Sequence, residues 1–322
     1  MKMFTETAQA VPPRLAYYAG PLNLPATVLG AVVFGRDSRA EVSASHDSRL
    51  VGVPLEAMVG SVRVEAWHTQ GEVTSGAEDG VRFSASADHL FGVIEVSEAS
   101  HGGPRGAARE AYERLARFHS TGRYPFVWRI WNFIDDINEG DGDDERYRLF
   151  CQGRAEAMGE RLRGYPAGSA LGRRDGNRIL QVIWLAGCEA GSPVENPRQV
   201  SAYRYPRQYG PASPSFARAI RIGRELLISG TASIVGHETM HSEDVVAQLH
   251  ESIENLRAVA GAASLARAQL AGFKAYVRHA GDADAIAKGI QASFNLNAPA
   301  CMLLADICRR DLLVELEAVC LT

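Results

Sequence analysis

The chain has 322 residues, 46% of them apolar, and its 34 Lys and Arg against 38 Asp and Glu give a net charge of −4. This balance leaves no basic stripe for nucleic acid, and the longest apolar stretches are too short to span a bilayer. The first residues lack the apolar segment of a signal peptide, and five cysteines without a pairing pattern favour a reducing compartment. We therefore expect a soluble, cytoplasmic, globular protein that binds neither nucleic acid nor membranes.

The first half of the chain predicts a sheet followed by helices and a strand. Short β-like runs separated by Gly, Asp and Ser fill the first hundred residues. An amphipathic helix is predicted next, because Ala108, Tyr112 and Leu115 recur on one helical face. The aromatic and branched segment YPFVWRIWNFI then predicts a strand, and an acidic turn leads into a second helix, ERYRLFCQGRAEAMGERL.

The second half repeats this order. It contains a predicted hairpin (ARAIRIGRELLISGTASI), a strong helix for which Ser242 is a suitable N-cap, and then a strand, a turn and a helix in AGFKAYVRHAGDADAIAKGIQASF. Two further strands, ACMLLADIC and DLLVELEAVC, follow. Since the order of helix, strand, turn and helix recurs after about 145 residues, the sequence predicts two related units.

The segment HETMH at 237–241 matches the H-E-x-x-H pattern of zinc metallopeptidases. That chemistry requires both histidines on one face of a helix, so that both reach the same metal. Here a predicted strand ends at Gly236, and the predicted N-cap Ser242 follows the second histidine. The segment is therefore predicted to lie in a loop, and we expect no metal site. A zinc peptidase is the alternative, and it would carry stoichiometric zinc.

Several longer strings resemble known families. The hairpin, the following helix with its IENL, and the closing NAPACMLL and VELEAV resemble the RidA/YjgF imine deaminases. The strings NFIDDIN, ERYRLFCQGRAEA, SAYRYPRQYGPASPSFARA, ISGTASIVGHETMHSEDV and CRRDLLVELE resemble the chorismatases, RidA-like enzymes that act on chorismate with loss of pyruvate. This resemblance covers about residues 100–322 and is more specific than HETMH, because it extends over long strings in the right order.

The resemblance implies an α+β fold of two RidA/YjgF-like (chorismate-mutase-like) units, with mixed sheets and helices packed on one face. We expect a degenerate amino-terminal unit at 1–195, and a carboxy-terminal unit at 196–322 that carries most of the active site. One position departs from the deaminases. Where they carry an arginine for the substrate carboxylate, this chain has Cys301. A thiol cannot form a carboxylate clamp, so the sequence disfavours imine deamination.

Chorismate is a dianion with an enol ether, so its site needs cations or hydrogen-bond donors for two carboxylates. Arginine binds carboxylates bidentately and tyrosine adds a directional donor. The segment SAYRYPRQYGP places three tyrosines and two arginines within seven residues. An edge segment with surface arginines is the alternative interpretation. The resemblance favours Tyr203, Arg207 and Tyr209 as substrate-binding residues.

Four further residues are candidates for the same pocket. Arg148, in ERYRLF, and Arg278, in AYVRH, are additional cations for the substrate carboxylates. For Arg278, an ordinary exposed arginine on a strand is a close alternative. Gly230 and Thr231 belong to a run of small residues, which we expect to line the pocket wall and leave room for the ring.

The last predicted strand, DLLVELEAVC, alternates in a way that separates its carboxylates from the core. Leu312, Val314 and Leu316 share the core face, whereas Glu315 and Glu317 lie on the other face. On composition alone, Glu315 would be an ordinary solvated carboxylate. The resemblance implies instead that Glu315 is the catalytic glutamate. In an apolar cleft with a second carboxylate nearby, its pKa would be raised and it could act as an acid.

Cys308 lies seven residues before Glu315, and a small buried apolar residue is the simplest interpretation. In the resembling enzymes a cysteine here goes with 3-hydroxybenzoate, and an aliphatic residue goes with hydrolysis to a dihydroxycyclohexadiene acid. The prediction is a chorismatase that makes 3-hydroxybenzoate and pyruvate without metal or organic cofactor. The alternatives are a dual 3-/4-hydroxybenzoate synthase, a chorismate hydrolase, and a RidA-like small-molecule binder without turnover. Monomer and homotrimer both remain open.

Overall fold

Three larger sheets, each built mainly from one stretch of the chain, organise the fold. The computed structural model describes residues 12–20, 24–59, 62–120, 122–158, 163–264, 269–294 and 301–321. The first stretch contains β1 (Arg14–Tyr18), β2 (Val28–Phe34), α1 (Ser38–Ser45), β3 (Leu50–Val53), β4 (Ala57–Val59) and β5 (Val64–His68). Four of these strands form the first sheet, in the order β1-β5-β2-β3.

The other two stretches hold the remaining elements. The second contains β6 (Thr74–Glu78), β7 (Val81–Ala85), β8 (His89–Ser97), α2 (Pro104–Ser120), β9 (Phe126–Asp135), α3 (Arg146–Met158), β10 (Ala167–Arg173) and β11 (Ile179–Gly187). The third contains β12 (Ser192–Val194), β13 (Ala219–Ile222), β14 (Glu225–Ala232), β15 (Ile234–Val235), β16 (Glu238–Thr239), α4 (Val245–Ala262), β17 (Gln269–Val277), α5 (Ala283–Phe294), β18 (Cys301–Leu304), β19 (Asp306–Ile307) and β20 (Val314–Leu321).

The second and third stretches build two seven-stranded sheets of the same design. The middle sheet runs β6-β7-β8-β11-β9-β10-β19, and the carboxy-terminal sheet runs β12-β13-β14-β20-β17-β18-β4. In both sheets a hairpin, a helix, a strand, a second helix and a parallel strand surround one central strand, β11 or β20. The predicted α+β class and internal repeat are confirmed. The separate first sheet, within residues 14–68, is a feature that the sequence analysis did not distinguish.

Each seven-stranded sheet ends in a short strand that comes from elsewhere in the chain. β19 pairs antiparallel with β10 of the middle sheet, and β4 pairs antiparallel with β18 of the carboxy-terminal sheet. The third stretch therefore completes the middle sheet with β19, and the first stretch completes the carboxy-terminal sheet with β4. The connection from β19 to β20 crosses from one sheet to the other, and residues 308–313 make up that connection.

Helices cover one face of each seven-stranded sheet, as predicted. Ala108, Tyr112 and Leu115 of α2 are buried against the middle sheet, and α4 and α5 cover the carboxy-terminal sheet. The opposite faces of all three sheets meet in a common apolar cluster, to which Phe34 and Leu185 belong. The helix-free face of the carboxy-terminal sheet is therefore covered by protein rather than by water.

The HETMH segment contains β16 of the β15–β16 hairpin and the turn after it, so the prediction that it lies outside a helix is confirmed. The cap of α4 differs from the prediction. Asp244, not Ser242, accepts hydrogen bonds from the backbone N–H groups of Val246 and Ala247. His241 adopts a positive φ of 59°, which turns the chain before the helix begins. Within the described ranges, no helix is long and apolar enough to cross a membrane.

Candidate active site

A cavity of about 570 Å³ opens between the middle sheet and the carboxy-terminal sheet. One wall comes from α3 and β10 of the middle sheet. The facing wall comes from β14, β20 and the turn after β19, and the segment 205–218 closes one side. Both halves of the chain thus supply lining residues, including Arg154 and Ser169 before residue 196 and Gly230 and Glu315 after it.

Strand β20 brings two carboxylates to the helix-free face of the carboxy-terminal sheet. Val314 and Leu316 pack beneath the helices, so Glu315 and Glu317 point the other way, as the alternation predicts. That face lies against the middle sheet, and the two glutamates are only 4% and 6% exposed. The alternative of a solvated Glu315 is therefore wrong.

Glu317 is surrounded by cations and hydrogen-bond donors. Its carboxylate oxygens lie 2.7 Å from Arg129 Nη2 and 3.0 Å from Lys274 Nζ. Burial raises the pKa of Glu317, but the two cations outweigh burial and lower the pKa to about 2. Glu317 is therefore a permanent anion at neutral pH. Three neutral groups also donate to it: Trp131 Nε1, Ser169 Oγ and Tyr276 OH.

Glu315, two residues earlier on the same strand face, has the opposite environment. It makes no hydrogen bond or ion pair with any other described side chain. Burial, and then the negative charge of Glu317, raise its pKa to about 8, although Arg129 and Arg218 partly oppose this shift. Glu315 therefore holds a proton at neutral pH while its neighbour does not. Paired carboxyls whose pKa values are pushed apart are typical of acid–base sites.

Gly230 makes room for the Glu315 carboxyl group. A Cβ atom on residue 230 would overlap Oε1 of Glu315 and crowd Ser169 Oγ. The backbone N–H of Gly230 donates to Ser169 Oγ at 2.9 Å, so the serine links β10 to β14 directly below the carboxyl. The pairing of β14 with β20 changes register between Ile228 and Thr231, a β-bulge that places Gly230 at the cavity.

Three arginines that line the cavity have no carboxylate partner among the described residues. Arg154, on α3, is 4% exposed and lies between aromatic rings, 5.1 Å above Phe150 and 5.9 Å above Tyr112. Its Nε and Nη2 atoms are buried without a hydrogen-bond acceptor. Leaving a buried charged donor unsatisfied is costly, so this guanidinium is suited to receive an anion.

Arg218 and Arg309 approach the cavity from the other side. Arg218 is 4% exposed and donates to Tyr205 OH at 2.8 Å, which leaves its buried Nε without an acceptor. Arg309 lies 3.9 Å above the ring of Tyr209 and donates to the backbone carbonyl of His237 at 2.9 Å. Its Nη2 is also buried and unsatisfied. Together with Arg154, these residues give the cavity three cations with free donors.

Cys308 lines the same cavity at the start of the connection from β19 to β20. It packs against Ile307 and Leu312 in a small apolar cluster. Burial, followed by the nearby carboxyl of Glu315, raises the pKa of the Cys308 thiol to about 12. The side chain is therefore a neutral thiol over the whole working pH range, not a thiolate nucleophile.

The structure brings five of the nine predicted site residues together around the cavity: Arg148, Tyr209, Gly230, Cys308 and Glu315. Arg148 is already paired with Glu145 at 3.1 Å, whereas the phenol of Tyr209 is 3.3 Å from His237 Nδ1. His237, in the turn of the β15–β16 hairpin, thus contacts two lining residues: its ring approaches Tyr209, and its carbonyl accepts from Arg309.

The other four predicted residues do not line the cavity. Tyr203 stacks on Tyr165, Arg207 pairs with Asp143 near the surface, and the Thr231 hydroxyl donates to the Ser229 carbonyl. Arg278 is buried, so the alternative interpretation, an ordinary exposed arginine on a strand, is wrong. It pairs with Asp306 at 2.6 Å and donates to three backbone carbonyls on either side of Cys308: those of Ile307, Arg309 and Leu312.

Ser169 and the three unpaired arginines line the cavity but were not predicted from the sequence. One signal was available for Arg154, because it shares a largely apolar helical face with Phe150, Cys151 and Ala157. A cation on such a face needs a partner or a ligand. Ser169 had no comparable signal, since its position depends on how β10 packs against β14.

Comparisons with known proteins point to one enzyme family. Residues 65–186 match the family model described as "Chorismatase FkbO/Hyg5-like, N-terminal". A 3-hydroxybenzoate synthase of Streptomyces hygroscopicus is 37% identical over 79% of this chain and 80% of its own length. A chorismatase of Streptomyces rapamycinicus is 36% identical over 94% of this chain and 95% of its own.

A solved chorismatase structure has the same fold over nearly the whole chain. It covers 97% of this chain and 99% of its own, with a TM-score of 0.82 at 30% sequence identity. The match includes both seven-stranded sheets, and therefore the two walls between which the cavity lies. The full-length similarity in sequence and structure shows that this chain belongs to the chorismatase family.

Proposed function

We propose that this protein converts chorismate to 3-hydroxybenzoate and pyruvate. One observation carries the proposal: a protonated carboxyl group, Glu315, shares a cavity with three arginines that have free donors. The cations match a dianionic substrate, and the acid matches an enol ether that must be protonated. A relative named as a 3-hydroxybenzoate synthase supports the choice of product.

The three unpaired arginines are the proposed carboxylate-binding residues. Arg154 lies on one side of the cavity, and Arg218 and Arg309 lie on the other, as a substrate with two separate carboxylates requires. Their charges act at low dielectric constant, where a charge-assisted hydrogen bond is strong. Arg148 and Tyr209 would add contacts at the rim. Tyr203, Arg207, Thr231 and Arg278 would support the walls rather than touch substrate.

Glu315 is the proposed acid. It gives its proton to the methylene carbon of the enolpyruvyl group, which then leaves from ring carbon C3 as pyruvate. The oxygen of the ring 4-hydroxyl bonds to C3 in place of the departing oxygen and loses its own proton, so that an arene-oxide-like intermediate forms. The proton released by the 4-hydroxyl balances the proton that Glu315 supplies, and no water is consumed. Opening of the oxide and loss of a ring proton give the aromatic product.

Cys308 is the proposed determinant of that last stage. Its thiol stays protonated and lies close enough to Glu315 for the two groups to affect each other's charge, so it can assist oxide opening as a weak donor. Replacing Cys308 by Ala should shift the product toward the non-aromatic dihydroxydiene acid. An unchanged product mixture in this variant would contradict a role for the thiol.

The direct test is to incubate purified, chelator-treated protein with chorismate and to separate the products by liquid chromatography. Pyruvate with 3-hydroxybenzoate alone is the expected result. A mixture with 4-hydroxybenzoate would instead indicate a dual synthase, and a dihydroxycyclohexadiene acid would indicate a hydrolase. Unconsumed chorismate would contradict the proposal altogether.

A further inference from the structure

We propose that Glu65, which lies on the first sheet and outside the cavity, keeps Glu315 in its acid form by balancing the buried charges behind it. The inference rests on the proposed role of Glu315 as the acid. Glu65 is a positioning residue in this scheme, because it acts through Lys274 and Glu317 and never touches substrate. The link runs from β5 through β17 to β20.

The contacts form a continuous buried chain. The Glu65 Oε2 atom lies 2.5 Å from Lys274 Nζ, and Lys274 Nζ lies 3.0 Å from Glu317 Oε2. Glu65 also accepts a hydrogen bond from Trp67 Nε1 at 3.2 Å. The side chains of Glu65 and Lys274 are each 2% exposed. Three aromatic rings surround the ammonium group at 5.3 to 5.5 Å: Phe34, Trp131 and Tyr276.

The charges in this chain cancel only when Glu315 is neutral. Arg129 and Lys274 supply two positive charges, and Glu317 and Glu65 supply two negative charges, each within an ion pair. An ionised Glu315 would add a fifth charge that no group in the cluster offsets. A buried uncompensated charge is strongly unfavourable, so the proton stays on Glu315.

The remaining titratable groups around the cluster do not disturb this balance. Burial is the main cause that raises the pKa values of Tyr17, Tyr276, Cys301 and Cys308, so all four are neutral at working pH. Arg218 is a further cation near Glu315 and opposes part of the shift, but it is present in every variant and so does not change the comparison between them.

Removing the Glu65 charge should therefore release the proton from Glu315. In Glu65→Gln the cluster has one excess positive charge, which an ionised Glu315 can offset. Adding Lys274→Met removes that excess and should restore the proton. Glu65→Asp keeps the charge and should leave the proton in place. A structural role for Glu65 predicts none of these paired effects.

The experiment is the pH dependence of kcat/KM for chorismate, which reports ionisations of the free enzyme. In the native protein the alkaline limb should fall near pH 8, where Glu315 loses its proton. In Glu65→Gln we expect the alkaline limb to shift to a pH lower by about one unit or more. At pH values between the native and the variant limb, kcat/KM of the variant should be roughly tenfold lower than that of the native protein. The Glu65→Gln/Lys274→Met double variant and Glu65→Asp should return the limb towards its native position.

Glu225→Gln is the matched control. Glu225 is also a buried carboxyl, with its pKa raised to about 7 mainly by burial, but it lies outside both the cluster and the cavity wall. Its replacement should leave the limb in place. If Glu65→Gln lowers kcat/KM equally at every pH, or if the double variant is no better than the single one, charge balance is wrong.

Failure of this inference can be distinguished from failure of the proposed function. The protonated Glu315 carboxyl can be followed without turnover, as the infrared C=O band that disappears in Glu315→Gln. A titration of that band that moves in Glu65→Gln supports the inference even if chorismate is not consumed. A band that titrates identically in the native protein and in Glu65→Gln overturns it, whatever the reaction is.

Discussion

The middle and carboxy-terminal sheets share one strand order but use the inner face of their central strand differently. In β11 that face carries Ile183 and Leu185, which belong to the common apolar cluster, and Gln181, which donates to the Gly52 carbonyl at 3.0 Å. In β20 it carries Glu315 and Glu317. The comparison shows that topology supplies a covered surface, while the residues on one strand decide whether that surface packs or reacts.

The two faces also differ in what they require from their neighbours. Apolar residues and a neutral amide need only a matching shape and one or two acceptors for the amide N–H groups. Two carboxyls in the same place need cations, and Arg129 on β9 and Lys274 on β17 supply them from different sheets. The reactive face therefore requires charged partners from two sheets, which the packing face does not need.

The sharpest test of this contrast is to replace one polar residue on the inner face of each central strand. Glu315→Gln should lower kcat by roughly 10³-fold or more with little change in KM, because only the proton donor is removed. Gln181→Leu, on the equivalent face of β11, should leave kcat unchanged and lower the free energy of unfolding, because a buried acceptor loses its donor. Steady-state kinetics and thermal unfolding of both variants check this, and native turnover in Glu315→Gln would remove Glu315 from the mechanism.

The next effect separates unpaired from paired arginines. Arg154→Met should raise KM by roughly tenfold to a hundredfold, because a desolvated carboxylate loses its cation. The same variant should unfold at a higher temperature, since an unpaired buried charge is replaced by an apolar chain. Arg146, whose Nη2 is 2.7 Å from Glu98 just after β8, is the control.

Arg146→Met should lower the unfolding temperature, and KM should stay near its native value. If Arg154→Met leaves KM unchanged, the unsatisfied donors of Arg154 are not a substrate site.

Two glycines in equivalent strands give a smaller effect. Gly230→Ala on β14 should lower kcat by roughly tenfold to a hundredfold, because the new methyl group displaces the Glu315 carboxyl from its position. Gly92→Ala on β8 meets the ring of Trp184 instead, so it should destabilise the fold without a specific loss of kcat per folded molecule. Equal losses of kcat in both variants would mean that Gly230 is only a packing residue.

The smallest effect concerns stability and pH. Unfolded Glu315 ionises at its ordinary pKa of 4.5, but the folded protein keeps the proton up to about pH 8. The native protein therefore loses stability from this group as pH rises between these values, whereas Glu315→Gln does not. We expect Glu315→Gln to melt a few degrees above the native protein at about pH 8.5 and at nearly the same temperature at about pH 5. A constant difference would contradict the raised pKa.

Much of the local structure could be predicted from the sequence. Helical periodicity identified the buried face of α2, and alternation placed Glu315 and Glu317 away from the helices. The prediction of α4 was right in position, but its N-cap was not, because Ser242 and Asp244 are both good caps and the turn at His241 decided between them.

The environment of the candidate site was less predictable. Alternation along β20 predicts on which face Glu315 and Glu317 lie, but it does not predict what covers that face. In the folded protein the face is covered by the middle sheet, not by solvent. The density of tyrosines and arginines drew attention to SAYRYPRQYGP, and the family resemblance selected the candidates within it, yet Tyr203 and Arg207 lie away from the cavity. Lining residues such as Ser169 come from strands that meet β14 only in the folded molecule.

The central position of β20 has a consequence for how the protein folds. Its neighbours β14 and β17 are synthesised earlier and do not pair with each other, so the carboxy-terminal sheet cannot close until residues 314–321 arrive. Until then two strand edges are open, which is a hazard for aggregation. The same insertion brings Glu315 to the cavity, so we expect catalytic competence and completion of the sheet to appear together during refolding.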